Sequence, residues 1–130
     1  MTVRIVRLGS KRARGEGLRI GTVRYPPRGV AKAEHSTKDW YDVWLPDLAP
    51  SAPTMKLAQG AETEKEWAGF VKKYRAEMAA AHAGRVLDLL AALSRQTHFS
   101  VGCYCADESR CHRTVLRALL MERGAKVQSP

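Results

Sequence analysis

The segment that most constrains the fold is residues 98–105, HFSVGCYC, which lies between helical patterns. Apolar and aromatic residues occupy both of its alternating sets of positions, as in a central strand that is covered on both faces. Before it, residues 63–81 and 86–93 carry apolar side chains at spacings of three and four, and Thr63 opens the first run with a capping box. After it, residues 111–123 are again helical. This alternation predicts a parallel sheet with helical crossovers.

Two further strands are expected near the N-terminus. Residues 2–8 alternate β-branched side chains with arginines, and residues 18–25 form a second strand that two prolines end. Residues 35–53 contain two tryptophans and three prolines, which indicates an ordered loop or a short helical turn. At 130 residues the chain is long enough for one hydrophobic core. We therefore predict a single domain over residues 1–130, a small three-layer Rossmann-like α/β fold whose mainly parallel sheet of three or four strands is flanked by helices.

The positive charge is concentrated in the first quarter of the chain. Of the net charge of +9, residues 1–32 contribute +8, because nine lysines and arginines there face one acid, Glu16. If the fold gathers this charge on one face, that face will attract polyanions or phosphorylated ligands. The alternative is an ordinary solvated surface that is rich in arginine. Both readings stay open, because several of these arginines lie in or beside the predicted strands.

Neither a membrane span nor a signal-peptide core is present in this sequence. The three cysteines are an odd number and lie close together, which argues against a secreted disulfide framework and fits a reducing compartment. We therefore expect a cytoplasmic location and no membrane partner.

Two unusual segments are predicted to meet at one edge of the sheet. In parallel sheets, ligands bind beyond the carboxyl ends of the strands, where residues 24–29 and 105–113 would both lie. Arg24 and Arg28 come from the first segment, and Arg113 comes from the second. A strand followed by a loop and a helix also directs free backbone N–H groups toward this edge, which favours anions. The expected partner is therefore a phosphorylated small molecule or a nucleic acid.

The second of these segments holds the residues with the most reactive side chains. His112 would be neutral at a helix start and is our candidate acid or base. Cys111 has the basic surroundings of a reactive thiol, Cys105 is a weaker candidate, and Cys103 reads as a small buried hydrophobic residue. These four residues could be zinc ligands, but neighbours at a helix start project about 100° apart, so we predict no metal and no cofactor. A thiol, redox or metal-binding protein centred on Cys105 and Cys111 is the alternative function.

Four motifs in order, RIGTVRYPPRGV, DVWLPDLAPS, FVKKYRAEM and CHRTVLRALL, resemble the DUF488 family, in particular its YeaO-like branch. The resemblance covers residues 19–120 and implies an α/β fold and a site, but no reaction, because the family has no assigned function. It places these residues on the family's motifs: Arg24, Pro27, Arg28, Gly29, Trp44, Ala49, Pro50, Ser51, Phe70, Tyr74 and Glu77.

The resemblance adds four residues to the candidate ligand site, namely Gly29, Trp44, Ser51 and Tyr74. From the residues themselves, Tyr74 belongs to an apolar helix stripe, and both it and Trp44 could equally serve the core. Tyr25 and Pro26 stand where the family has Leu and Trp, which implies that an aromatic surface beside the arginines is lost. The hypotheses are therefore an enzyme with His112 at its centre, a nucleic-acid-binding module, and the thiol or metal protein.

Overall fold

A four-stranded parallel sheet forms the centre of the molecule. The computed structural model describes residues 1–106 and 110–129. The strand order is β1-β4-β2-β3, and every residue of the central strand β4 is buried. The strands are β1 (Val3–Arg7), β2 (Leu18–Gly21), β3 (Val43–Trp44) and β4 (Phe99–Cys103). The structure thus confirms the α/β class, the parallel sheet and the central position of the HFSVGCYC segment.

Four α-helices follow or separate the strands. They are α1 (Ala52–Gly60), α2 (Glu64–Met78), α3 (Ala81–Leu93) and α4 (His112–Glu122), with short 3₁₀ turns at Lys32–Glu34 and Pro46–Leu48. The predicted capping box is present, since Thr63 accepts from the backbone N–H of Glu66 and the Glu66 carboxylate accepts from that of Thr63. Gly124 ends the last helix with a φ of 83°. Within the described residues, no helix combines the length and the apolar character that crossing a bilayer requires.

The main hydrophobic core lies between one face of the sheet and the helices. Side chains of α2, α3 and α4 pack there against alternate residues of the strands, and this core includes Val3, Ile20, Phe70, Tyr74, Leu87, Phe99, Val101 and Leu116. Because successive strand residues point to opposite faces, Arg19 and Ser100 lie on the other face. A Cβ at Gly21 on that face would lie 2.4 Å from the ring of Tyr41, so the ring packs directly on the strand backbone.

The second face of the sheet buries an ion pair. Arg19 is fully buried, and its Nε donates to Glu16 Oε2 at 2.7 Å. Ser100 Oγ donates to the same carboxylate oxygen at 2.7 Å, and Arg19 Nη1 donates to the carbonyls of Ser10 and Asp39 at 2.8 Å each. Arg19 therefore ties together the segments that follow β1 and precede β3. Its charge is satisfied inside the protein and does not contribute to a ligand-binding surface.

Candidate functional site

A cavity of about 960 Å³ lies beyond the carboxyl ends of β1, β2 and β4. Its walls come from residues 7–10 after β1, residues 23–28 after β2, and residues 103–105 at the end of β4. His112 at the start of α4 completes this set, together with Trp40, Pro50, Met55 and Gln59. The two segments that the sequence places at this edge therefore meet around one hollow, although residues 107–109 of the second lie outside the described part.

The cavity wall is basic. Arg7, Arg24 and Arg28 line it, and among the described lining residues there is no aspartate or glutamate. Arg28 is exposed and makes no hydrogen bond or ion pair in the described structure. Arg7 is also exposed and donates only through Nε, to the carbonyl of Tyr104 at 3.3 Å. Two guanidinium groups therefore face solvent at the cavity without a carboxylate to neutralise them, which favours an anionic ligand.

Arg24 is fixed more firmly than its two neighbours in the cavity. Its Nε donates to the carbonyl of Pro50 at 3.1 Å and its Nη2 donates to that of Ala49 at 2.9 Å. The next residue, Ser51, is the N-cap of α1 and donates to Glu77 through both its backbone N–H, at 2.9 Å, and its hydroxyl, at 2.6 Å. This chain of hydrogen bonds links the end of β2 to α1 and α2.

Glu77 is held as a carboxylate by this network. Burial alone would raise the pKa of Glu77, but hydrogen bonds from Ser51 and Thr54 outweigh burial and lower it. Ser51 therefore caps α1 and stabilises the Glu77 carboxylate, and it does not line the cavity.

Aromatic side chains form another part of the cavity wall. Tyr25 is 61% exposed, and Trp40 and Tyr104 meet edge to face with ring centroids 5.8 Å apart. The Tyr104 hydroxyl donates to the carbonyl of Tyr25 at 2.8 Å, which joins the two segments. Tyr25 thus supplies an exposed aromatic ring beside the arginines, while Pro26 stands at the position where the resemblance has tryptophan. Such rings offer flat surfaces on which a nucleobase can stack.

His112 forms part of the cavity floor and is held in one orientation. Its Nε2 lies 2.8 Å from the carbonyl oxygen of Thr22, which can only accept, so Nε2 carries the ring proton. Its Nδ1 lies 3.8 Å from Cys111 Sγ, and the ring of Tyr74 packs edge to face against the imidazole. Burial lowers the pKa of His112 to about 4, so the imidazole is neutral near pH 7. The prediction of a neutral histidine agrees with this environment.

Three free thiols lie beside this imidazole. Cys103 and Cys111 are buried, whereas Cys105 is exposed and lines the cavity. Ligand atoms of Cys103, Cys111 and His112 all lie within 4.8 Å of one another. The neighbouring thiols of Cys103 and Cys111 lower the pKa of Cys105, while Cys105 and Cys111 raise the pKa of Cys103. The structure thus brings Cys103, Cys111 and His112 together, and it places Cys105 at the neighbouring cavity wall.

The other residues that the sequence predicts as ligand contacts, and the catalytic candidate Cys111, lie outside the cavity lining. Tyr74 is fully buried, and its hydroxyl donates to the carbonyl of Leu48 at 2.6 Å. Trp44 Nε1 donates to the carbonyl of Val23 at 2.7 Å, and Gly29 supplies a φ of 72° to the turn that follows Arg28. Arg113 is buried and is bonded through Nη2 to the carbonyl of Cys105, and Cys111 is likewise buried. These residues position the cavity wall rather than line it.

Most of the cavity lining is not among the site residues that the sequence predicts, and Arg7 and Tyr104 are two examples. Arg7 is the last residue of β1, so the rule that parallel strands end at one edge could have identified it. Tyr104 follows β4 directly, although the sequence pattern places it within that strand. Both positions become recognisable once β1 and β4 are known to be neighbours in register, with Arg7 opposite Cys103.

The fold and this site define a small parallel α/β protein with a basic cavity beyond its strand ends. The chain belongs to the DUF488 family, since the family model described as "Active DUF488-N3 subclade" matches residues 3–124. This match confirms the family that the motifs predict, while the YeaO-like branch stays a prediction. No curated protein and no solved structure matches the chain.

Proposed function

We propose that this protein is an enzyme that binds a phosphorylated, nucleotide-like ligand in the cavity. The observation that carries the proposal is the set of three arginines in a wall without a carboxylate among its described residues. Arginine binds phosphate through paired, charge-assisted hydrogen bonds, and Arg7 and Arg28 have donors available for this. In this proposal, Arg24 shapes the wall and contributes its charge.

The cavity supports a small ligand more strongly than a long nucleic acid. Its volume of about 960 Å³ lies within the range that is usual for sites of small molecules and cofactors. The aromatic side chains of Tyr25, Trp40 and Tyr104 would hold the base or another flat group. An open nucleic-acid surface would instead draw on the whole N-terminal charge, part of which carboxylates already neutralise through Arg12 and Arg19.

The reaction centre in this proposal is the thiol and imidazole cluster at the cavity floor. The description of the matched subclade as active favours catalysis over binding alone. His112 borders the cavity, but its Nε2 is bonded to Thr22 and its Nδ1 faces Cys111. We therefore propose that His112 acts together with the cysteines, and no longer as a separate acid or base.

We also propose a cytoplasmic location. Cys103, Cys105 and Cys111 are all free although their thiols lie close together. Neighbouring free thiols persist most readily in a reducing compartment.

Calorimetric titration with a nucleoside diphosphate, with inorganic phosphate and with a short single-stranded oligonucleotide tests the ligand class. We expect the nucleoside diphosphate to bind best and Arg28→Ala to weaken its binding roughly tenfold or more. Arg14→Ala is the matched control, because Arg14 is an exposed arginine of the same N-terminal region and lies outside the cavity.

Two results would overturn the proposal. The first is equal weakening in both variants, which would indicate non-specific attraction to positive charge. The second is binding to the oligonucleotide alone, which would support a nucleic-acid-binding module.

A further inference from the structure

We propose that Cys103, Cys111 and His112 bind a zinc ion and that Cys105 supplies the fourth ligand. Cys103 Sγ, Cys111 Sγ and a ring nitrogen of His112 lie within 4.8 Å of one another. In a tetrahedral zinc site with bonds of about 2.0–2.3 Å, ligand atoms lie roughly 3.3–3.8 Å apart. The distance of 3.8 Å between Cys111 Sγ and His112 Nδ1 already fits such a site.

The orientation of the imidazole is the second observation. Histidines that bind metals usually donate their other ring N–H to a carbonyl or a carboxylate, which fixes the ring and leaves the ligating nitrogen unprotonated. His112 Nε2 makes this bond to the carbonyl of Thr22 at 2.8 Å. The lone pair of Nδ1 is therefore directed to the side where Cys111 lies, and the ring of Tyr74 supports the imidazole from another side.

The composition of the cluster favours zinc over hard cations. Three thiols and one imidazole form a soft ligand set, which suits zinc and does not suit magnesium or calcium. Cys103 and Cys111 are each 2% exposed and His112 is 8% exposed, so the three ligand residues are shielded from water. Cys105 is not part of the group whose ligand atoms lie within 4.8 Å of one another, but it lines the cavity two residues after Cys103, and its thiol would complete the site by turning toward the cluster.

The sequence argument against a metal fails because of the backbone at Cys111. That argument places Cys111 and His112 on a helix, where neighbouring side chains diverge by about 100°. Cys111 is instead the N-cap of α4, with an extended backbone at φ −136° and ψ 156°. The divergence of 100° therefore does not apply to this pair, and Cys111 Sγ lies 3.8 Å from His112 Nδ1.

With zinc bound, the cluster that the proposed function takes as the reaction centre acts through the metal, and its thiols and imidazole are ligands rather than a free nucleophile or base. The zinc site does not depend on the phosphorylated ligand, and its test uses the metal alone. The chelator-treated, reduced protein is titrated with Co²⁺ and then with Zn²⁺, while absorption and native mass are followed. We expect one metal per chain, tetrahedral cobalt bands, and an intense charge-transfer band from thiolate to cobalt that Zn²⁺ abolishes. Cys111→Ser should weaken metal binding at least 100-fold, whereas His98→Gln, at an exposed histidine away from the cluster, should leave it unchanged.

Cys105→Ala keeps the test decisive if a buried variant fails to fold, because Cys105 is exposed. Its charge-transfer band should be about one-third weaker, since two of three thiolates remain. The absence of a charge-transfer band in the wild type, or an undiminished band in Cys111→Ser, would overturn the zinc site. An undiminished band in Cys105→Ala would overturn the assignment of the fourth ligand.

Discussion

Two regions of this molecule are rich in arginine, and they use it in opposite ways. Beside the second face of the sheet, Arg12 pairs with Asp39 and Asp42, and Arg19 is buried against Glu16. At the cavity, Arg7 and Arg28 face solvent without a carboxylate among the described lining residues. A count of charges therefore overstates the free charge of the N-terminal region, because part of it holds the fold together. The charge available to a ligand is that of the arginines that lie at or just after the carboxyl ends of the strands.

The largest effect that we expect from this comparison concerns the buried pair. Arg19→Met would leave the Glu16 carboxylate, which is 2% exposed, without its partner and should lower the free energy of unfolding by about 3–5 kcal/mol. Urea denaturation followed by circular dichroism measures this loss. The double variant Glu16→Gln with Arg19→Met should recover part of it, because no buried charge is then left unpaired. A loss below about 1 kcal/mol in the single variant would contradict a structural role for the pair.

Acid should act on the same region. Burial would raise the pKa of Glu16, but hydrogen bonds from Arg19, Ser100 and the Ala13 N–H outweigh it and lower the pKa from 4.5 to about 2. Since the folded-state pKa is depressed, this stability is present above about pH 4.5 and is lost as the pH falls toward 2, by about 3 kcal/mol. Unfolding free energies measured between pH 7 and pH 2.5 test this. The variant Glu16→Gln should show a shallower loss over this interval, and an unchanged slope would refute the assignment.

The smallest effect on stability is expected at the cavity. Arg28→Ala should change the free energy of unfolding by less than about 0.5 kcal/mol, because Arg28 is exposed and no described group is bonded to it. The same urea denaturation measures this value beside that of Arg19→Met. A loss comparable to that of the buried pair would mean that the cavity arginine is also structural, and the contrast between the two regions would disappear.

The parts of the fold that follow from local patterns were predictable. The capping box at Thr63 and the buried strand β4 could be read from short windows. Strand β3 could not, because two residues are too few for a periodic pattern. In the sequence, Pro53 argues against a helix at the start of α1. In the structure it lies in the first turn of the helix, where its missing N–H would have no helical partner.

The candidate site was predictable in its location and less so in its residues. The parallel arrangement brought residues 24–28 and 105 to one edge, as expected. Tyr74 and Trp44 were placed on the site by family motifs, but their polar groups bond to the backbone of the surrounding fold. Tyr74 and Trp44 therefore support the site by packing. A sequence motif does not distinguish such packing from contact with a ligand.

The sequence by itself determined most of the elements of this protein, the parallel class of its sheet and the edge at which its unusual segments meet, because these depend on local periodicity and on the geometry of parallel strands. Only the tertiary structure decided which arginines are neutralised and that Cys103 meets Cys111 and His112. Several of these contacts join residues far apart in the chain: Arg12 pairs with Asp42, and His112 Nε2 donates to the carbonyl of Thr22. Their partners are chosen by how the elements pack, and no local pattern records that choice.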